Sequence, residues 1–358
     1  MSSRSEVPER GRRPKRVRQA DVAQAVGVSQ ATVSLVLSKS ADLSITPETR
    51  QAVLDAARDL GYVPDPIAQR LAKGRNFLLG LHTFAPTFPV NLTNSYYPYL
   101  EGVEEEASAQ GFDLLLFTGS TARAGRESGM YRLRLADGCI LVGRHPQMAD
   151  VRDLLDSGYP LVYIGRHDEL GDQLSYVGAD YAKATEELVD RLWDLGHRDF
   201  VYLQELDNAI ASTDREAGFV RAIAKRGSEV RADPVRITHK DITPARVQRW
   251  VDDGYTAIVV EGGTESTSAL DATTRAIAEL GLEYPRDLSL AATGAELNRR
   301  SDEPVITGFE VPRGEMGRHA VRLLIELLSG AELPVSERQH LMLCVPLVGD
   351  TSGPVPGR

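Results

Sequence analysis

The tripeptide Gly27-Val28-Ser29, set between two short apolar-periodic blocks, constrains the start of the chain more than any other feature. Apolar residues at helical spacing fall in three groups before residue 61: Val22, Ala23 and Val26; Val33, Val36 and Leu37; Val53, Ala57 and Leu60. Glycine enters the left-handed backbone region at little cost and so can end one helix, Val28 can plug a shared core, and Ser29 can cap the next helix. The pattern predicts a tight helix-turn-helix. Thr46-Pro47-Glu48 then predicts a third helix, with a capping hydroxyl, proline at the first helical position and a carboxylate near the positive end of the dipole. The second helix opens with Gln30-Ala31-Thr32, small or polar residues, and in this motif the first residues of that helix face base edges. DNA binding is the expectation; a purely structural three-helix unit would leave that polar start without a role.

Charge agrees. The 358 residues carry a net charge of −10, but residues 1–76 hold 13 Lys/Arg against 8 Asp/Glu, leaving 28 against 43 for the rest. A basic head on an acidic body favours phosphate contact at one end and discourages nonspecific adhesion at the other. No apolar run approaches the ~20 residues that cross a bilayer. The polar, basic first 18 residues have no apolar segment behind them, so the expected location is the cytoplasm, with no membrane partner. Cys139 and Cys344 stand alone, without metal-ligand spacing, and read as two buried thiols, a single disulfide being the alternative. No metal or cofactor is expected.

Beyond Asn76 short apolar runs at 77–82, 113–117, 139–142, 161–164, 199–203, 257–260 and 288–292 alternate with amphipathic stretches such as 99–110, 182–195 and 215–225. Such alternation predicts parallel sheets covered by helices, a class that binds ligands at the carboxyl ends of its strands. There is no phosphate-binding glycine loop and no Ser/His/Asp grouping, so enzyme readings are weak.

The runs Asp21-Val22-Ala23, Gly27-Val28-Ser29, Thr32-Val33-Ser34, Thr49-Arg50, Leu60-Gly61-Tyr62-Val63-Pro64 and Ala68-Gln69-Arg70-Leu71-Ala72 closely resemble the lac repressor (LacI/GalR) family. The resemblance continues more diffusely through Val177-Gly178-Ala179-Asp180, Arg215-Glu216-Ala217-Gly218-Phe219 and Met316-Gly317. It implies an all-α helix-turn-helix DNA-binding domain joined to an α/β bilobed periplasmic-binding-protein-like sensor. In the head it implies that Gln30 and Ala31 read bases, that Ser29, Thr32, Ser34, Thr46 and Thr49 contact phosphates or bases, and that 66–72 is a hinge helix whose Leu71, next to Ala68 in the minor groove, wedges a base step. Seven residues are too few for a stable isolated helix, so the hinge would fold only when held. Leu35 stands where many members carry a guanine-reading arginine, which removes that readout; Arg18 replaces a common capping threonine and offers a phosphate contact instead.

In the sensor the resemblance implies a cleft between lobes, with Arg215 as the leading ligand contact and Tyr97 (or Tyr96), Arg166 and Asp180 as further candidates. Asp180 could equally cap the helix that follows, and the tyrosines could be ordinary core aromatics. Glu261-Gly262-Gly263 and Thr293-Gly294-Ala295-Glu296 stand where members often place an Asn-Asp pair and an aspartate, so Glu261 and Glu296 are candidates to replace those acids. The expected division is a disordered basic tail at 1–15, the head at 16–64, hinge and linker at 65–75, the sensor at 76–350 and a flexible tail at 351–358. Lobe 1 is expected at about 76–178 and 306–330, lobe 2 at about 179–305 and 331–350. A regulator of this kind would be a homodimeric repressor on a near-palindromic double-stranded operator, its affinity controlled by a small molecule in the cleft, a sugar or sugar derivative acting as inducer or corepressor. A solute-binding or sugar-metabolising protein of the same sensor fold, and an architectural DNA protein without a ligand, are the rival classes.

Overall fold

The computed structural model describes residues 17–37, 45–63, 76–84, 96–118, 130–206, 208–262, 268–294 and 304–355. The hinge with Ala68 and Leu71, the basic tail, and Glu296 lie outside the described residues. The chain divides into two units, Met1–Asn76 and Phe77–Arg358.

The first unit contains α1 (Gln19–Val26), α2 (Gln30–Leu37) and α3 (Pro47–Asp59). Gly27 takes φ 72°, and the N–H groups of Gly27 and Val28 both donate to the Ala23 carbonyl, at 2.9 and 3.1 Å, closing α1. The chain turns through 107° between α1 and α2. Ser29 Oγ accepts the Thr32 N–H at 3.1 Å and Thr46 Oγ1 accepts the Thr49 N–H at 3.3 Å, so both later helices are capped as their sequences predict. Arg18 has no acceptor to offer the start of α1. Asp21 Oδ2 takes the Arg18 N–H at 2.8 Å instead, so the cap is made from inside the helix. Val22, Ala23, Val33, Val36, Val53 and Ala57 form the core, with Tyr62 packed against it. Leu60, expected in that core, is 40% exposed, because α3 ends at Asp59. Gly61 at φ 64° then turns the chain so that the Tyr62 N–H reaches the Ala57 carbonyl at 2.8 Å, and the tyrosine takes the place expected for the leucine.

The second unit is built on two six-stranded sheets of matching order. The first contains β1 (Leu78–Thr83), β2 (Asp113–Thr118), β3 (Gly138–Val142), β4 (Leu161–Ile164), β5 (Ser175–Ala179) and β11 (Gln339–Met342), ordered β11-β5-β4-β3-β1-β2 and wholly parallel. The second contains β6 (Asp199–Gln204), β7 (Arg231–Arg236), β8 (Ala257–Val260), β9 (Ser289–Ala292), β10 (Thr307–Glu310) and β12 (Val345–Leu347), ordered β12-β10-β9-β8-β6-β7. Only its β10–β12 pair is antiparallel. Each sheet therefore reverses strand order beside β1 or β6, which puts its switch-point crevice at the carboxyl ends of β1 and β3 or of β6 and β8. Helices follow the strands: α4 (Tyr97–Ala109), α5 (Met148–Asp156), α6 (Tyr181–Asp194), α7 (Ile210–Ala224), α8 (Pro244–Asp252), α9 (Ala269–Glu279), α10 (Arg313–Leu328) and the short α11 (Val335–Arg338).

Strand pairing redraws the expected lobes. Residues 307–310 belong to the second sheet and 339–342 to the first, the reverse of the sequence reading, because the chain crosses between lobes after β5, after β10 and again between β11 and β12. The tail is also different from expectation. Thr351 is fully buried, its hydroxyl donating to the Leu290 carbonyl at 2.7 Å and accepting the Thr307 N–H at 2.9 Å, and Val355 N–H reaches Leu195 O at 3.0 Å. Residues 351–355 are thus stitched across β9 and β10 rather than loose, since they satisfy backbone groups that burial would otherwise orphan.

Two glycines from the sequence motifs acquire a packing reason. A Cβ on Gly218 of α7 would lie 2.1 Å from the Ala182 carbonyl of α6, and one on Gly317 of α10 would lie 2.5 Å from Tyr99 O of α4. Each lobe thus rests on a helix pair at backbone contact. Both cysteines are free and buried, as two apolar thiols, and burial pushes the Cys344 thiol up to about 11. No single described helix is long and apolar enough to cross a membrane.

Candidate functional site

In the head, the residues that α2 does not spend on its core are those at its start. Val33 and Val36 are buried, while Gln30 and Ala31 are exposed and Leu35 is 37% exposed. Ser29 and Thr32 pair their hydroxyls at 2.9 Å in the same turn, and Thr46 donates to Thr49 Oγ1 at 3.2 Å at the start of α3. The amino ends of both helices thus present hydroxyls beside free first-turn N–H groups, an arrangement suited to phosphate oxygens. Glu48 is held below the usual carboxylate range by its own backbone N–H and the Thr46 hydroxyl. Ser34 is half-buried and Arg18 is exposed.

In the second unit one cleft gathers the carboxyl ends of β3 and β4 from the first lobe and the first turn of α7 from the second. Val142-Gly143-Arg144 and Ile164-Gly165-Arg166-His167 supply one wall; Ala209, Ile210, Ala211, Asp214, Arg215 and Gly262 supply the other. Tyr96, Tyr99, Tyr163, Tyr181, Met316 and Arg313 complete it around about 100 Å³ of free space. Gly165 sits at φ 131°, and a Cβ there would meet the Tyr163 ring at 2.9 Å, so the turn that presents Arg166 requires glycine.

Arg215, in the second of these walls, is 4% exposed. Its Nε donates to Thr293 O at 2.7 Å and Nη1 to Ala211 O at 2.8 Å, with Nη1 3.7 Å from Glu261 Oε1 and the guanidinium 3.8 Å above the Tyr181 ring. Glu261, 2% exposed, accepts the Ser212 hydroxyl on Oε1 and does not reach the cleft surface. The strand ends around it explain why. A Cβ on Gly262 would lie 2.6 Å from the Gly294 carbonyl, so these two backbones are too close for larger side chains.

The lobes are tied together across the cleft. Arg166 makes a two-pronged contact with Asp214 of α7, Nε to Oδ2 at 3.0 Å and Nη2 to Oδ1 at 2.6 Å, and also meets Asp168. The Asp214 hydrogen bonds raise an already high guanidinium pKa further, so the charge is permanent. Arg144 Nη2 donates to Ser212 Oγ at 3.1 Å and stands 3.9 Å from Glu261.

Of the cleft residues expected from sequence, Arg166 and Arg215 line it. Asp180 does not; its Oδ1 accepts the Lys183 N–H at 3.0 Å and caps α6, the alternative role. Tyr97 is 40% exposed and outside the lining, whereas Tyr96 and Tyr99 are in it. The sequence reading missed Arg144, Asp214, Ser212, Tyr163, Tyr181 and Arg313. A signal existed for the first, since Gly-Arg-His occurs twice, at 143–145 and 165–167, each time after an apolar strand. Among the described residues no group of three His, Cys, Asp or Glu could hold a metal ion.

Comparison with known proteins matches this arrangement. The family model "Bacterial regulatory proteins, lacI family" covers residues 20–65, "Periplasmic binding proteins and sugar binding domain of LacI family" covers 89–249, and "Periplasmic binding protein-like domain" covers 189–351. The regulator CelR of Thermobifida fusca is 28% identical over 86% of this chain and 91% of its own, and the repressor MelR of Bacillus subtilis is 26% identical over 93% and 96%. A CelR–cellobiose complex aligns with TM-score 0.61 at 25% identity, covering 94% of this chain and 100% of that one. The lac repressor dimer bound to operator and the anti-inducer ONPF aligns with TM-score 0.71 at 20% identity over 95% and 100%, and shows the same fold. The named relatives are transcriptional regulators, not enzymes.

Proposed function

Because the chain belongs to the LacI family of transcriptional regulators, we propose that it is a homodimeric repressor, acting in the cytoplasm on a near-palindromic operator that a small sugar-like effector in the sensor cleft makes it bind or release. One observation carries this reading: a single chain joins a capped helix-turn-helix, whose second helix leaves Gln30, Ala31 and Leu35 uncommitted, to a two-lobed unit tied shut across a polar cleft. In this proposal Gln30 and Ala31 meet base edges, Leu35 offers only apolar contact, and Ser29, Thr32, Ser34, Thr46, Thr49 and Arg18 meet the backbone. Residues 65–75 connect the head to the sensor, and Leu71, with Ala68, enters the minor groove when two copies meet. The effector shifts the lobe angle and with it the separation of the two hinge origins near Asn76. A coupling of about 1–3 kcal/mol gives the regulatory swing, and operator must alter effector affinity by the same factor.

The test is selection of bound duplexes from random DNA, with and without a panel of sugars and sugar derivatives. Enrichment of paired half-sites, changed by one of the compounds, is expected. A protein that enriches nothing at near-physiological salt overturns the reading. Leu71→Ala is expected to cut specific affinity strongly while weak nonspecific binding persists, and equal loss of both removes the wedge role.

A further inference from the structure

Among the described residues the cleft lining holds four guanidiniums and one carboxylate. Arg144, Arg166, Arg215 and Arg313 line it, against Asp214 in its wall and Glu261 just behind. Asp168, two-thirds exposed at 66%, touches only the outer side of Arg166. Arg166 is matched by Asp214, and Arg144 and Arg215 share Glu261 at 3.9 and 3.7 Å. Arg313, the first residue of α10, has no hydrogen bond or ion pair to its guanidinium among the described residues. A half-buried guanidinium without a counter-charge is costly to desolvate, and the cost falls when an anion enters.

Helix ends point the same way. Where α3, α6, α8 and α9 begin, the side chains of Thr46, Asp180, Thr243 and Ser268 take the orphan N–H groups. Of the helices whose amino ends line the cleft, α4, α7 and α10 have no side-chain cap, while α6, which begins at Tyr181, is capped by Asp180. Outside the cleft α1, α5 and the short α11 lack one as well. For the 15-residue α7 and the 16-residue α10, first-turn residues Ile210, Ala211 and Arg313 are part of the cavity wall. Uncapped amino ends of long helices favour negative charge.

We propose that the effector is an anion, a sugar acid or a sugar phosphate, whose carboxylate or phosphate sits against Arg313 and the first turn of α7. This inference rests on the reading that the cleft is the effector site. Tyr96, Tyr99 and Tyr181 pack the remainder of the molecule, and Arg166, already held by Asp214, closes the lobes over it. A neutral sugar leaves Arg313 unmatched and is the weaker ligand.

The experiment uses the full chain and three matched series, glucose, galactose and mannose, each as the free sugar, the uronate and the 6-phosphate. Thermal melting and titration calorimetry read binding, and retention of the selected operator reads the response. At least one charged member is expected to raise the melting temperature and change operator retention while its neutral parent does neither, and uronate against phosphate identifies the group. Arg313→Gln, first checked for unchanged melting without ligand, is expected to weaken the anion at least tenfold, with Arg313→Lys restoring part of the affinity. Should Arg313→Gln fail that check, Arg313→Lys and the salt dependence of anion binding by the unaltered chain carry the test. If a neutral sugar binds and its acid does not, or if binding ignores both Arg313 and salt, the anion inference is overturned while the effector reading stands. If no member of any series shifts melting or operator retention, both fall.

Discussion

The two lobes share one strand order but end their corresponding strands in opposite chemistry. In the first sheet β3 and β4 run into Gly143-Arg144 and Gly165-Arg166; at the same places in the second, β8 and β9 run into Glu261-Gly262 and Thr293-Gly294. The repeated fold fixes where strand ends meet, and the residues placed there decide what the meeting does. Here cations on one lip face Asp214, Ser212 and Glu261 on the other, so the lobes hold each other before any ligand is considered. Two lips of like charge would repel and would need a counter-ion to approach.

The comparison breaks most visibly if the second lobe's buried charges are separated. Arg215→Ala leaves Glu261, 2% exposed, without its nearest guanidinium and with Oε2 already unpartnered among the described residues. A loss of up to about 3–5 kcal/mol is expected, because Glu261 then keeps only Arg144, 3.9 Å away, and an under-compensated buried charge is the costly case. Urea unfolding of the full chain followed by tryptophan fluorescence reads it. A loss below about 1 kcal/mol would mean that this lobe does not depend on the pair, and the contrast between the lips would carry no energy.

Next come the helix pairs, where the lobes should behave alike. Gly102→Ala would set a Cβ 2.0 Å from the Gly314 carbonyl in the first lobe, and Gly218→Ala one 2.1 Å from the Ala182 carbonyl in the second. Each forces helix axes apart and is expected to cost about 1–3 kcal/mol, as overpacking usually does. Equal penalties support lobes that share architecture and differ only in charge. A neutral result in one lobe alone would show that its helices can separate freely.

What the sequence made legible follows the same divide between local and convergent structure. The head could be read because its rules span three or four residues: Gly27 ends a helix, while Ser29 and Thr46 begin helices. Its one displaced core residue, Leu60 for Tyr62, came from misjudging where α3 stops by a single position. In the sensor, alternation located seven strands, but the placement of 307–310 and 339–342 depends on pairings with residues about 15 and 160 positions away, which periodicity does not carry. The cleft was half-visible. Arg215 and Arg166 stood out, whereas Asp180 went to a helix cap and Asp214 took a ligand-facing place that nothing in its local sequence announces.

A smaller effect tests the lips themselves. Arg166 and Asp214 retain 25% and 15% side-chain exposure, so solvent screens them and their coupling should be worth no more than about 1 kcal/mol. A double-mutant cycle with Arg166→Gln and Asp214→Asn measures it, and small-angle scattering of the same variants reads lobe opening. Coupling well above 2 kcal/mol would mean that the contact behaves as a dry, buried pair and that closure is nearly fixed. Wider scattering profiles with small coupling are the expected combination.

At neutral pH the least consequential difference lies in one buried imidazole per lobe, His82 in the first and His197 in the second, 9% and 0% exposed. Burial holds both below the ordinary histidine value, against a raising influence from the Phe117 backbone for His82 and the Gly353 backbone for His197. In the unfolded chain each takes a proton near pH 6.5, so below that pH the unfolded state binds more protons than the folded one. Stability is therefore complete above about pH 6.5 and is lost as pH falls through the depressed folded value. The lobes should differ in where the loss appears. His197 Nε2 lies 3.1 Å from the Gly353 carbonyl and must donate to it, which leaves Nδ1 to accept from Thr256 at 2.9 Å; protonation of Nδ1 keeps the Gly353 bond but ends that acceptance, so the Thr256 hydroxyl must turn its proton to the Asp199 carbonyl, 3.4 Å away. His82 Nδ1 has no partner among the described residues, so its protonation breaks no hydrogen bond there. Hydrogen exchange at pH 5.5 against 7.5 should show protection falling first around Asp199 and Thr256, and His197→Gln should flatten that difference. Uniform loss across both lobes would show that the imidazoles act only through global stability, and no pH dependence at all would show that neither is held neutral by the fold.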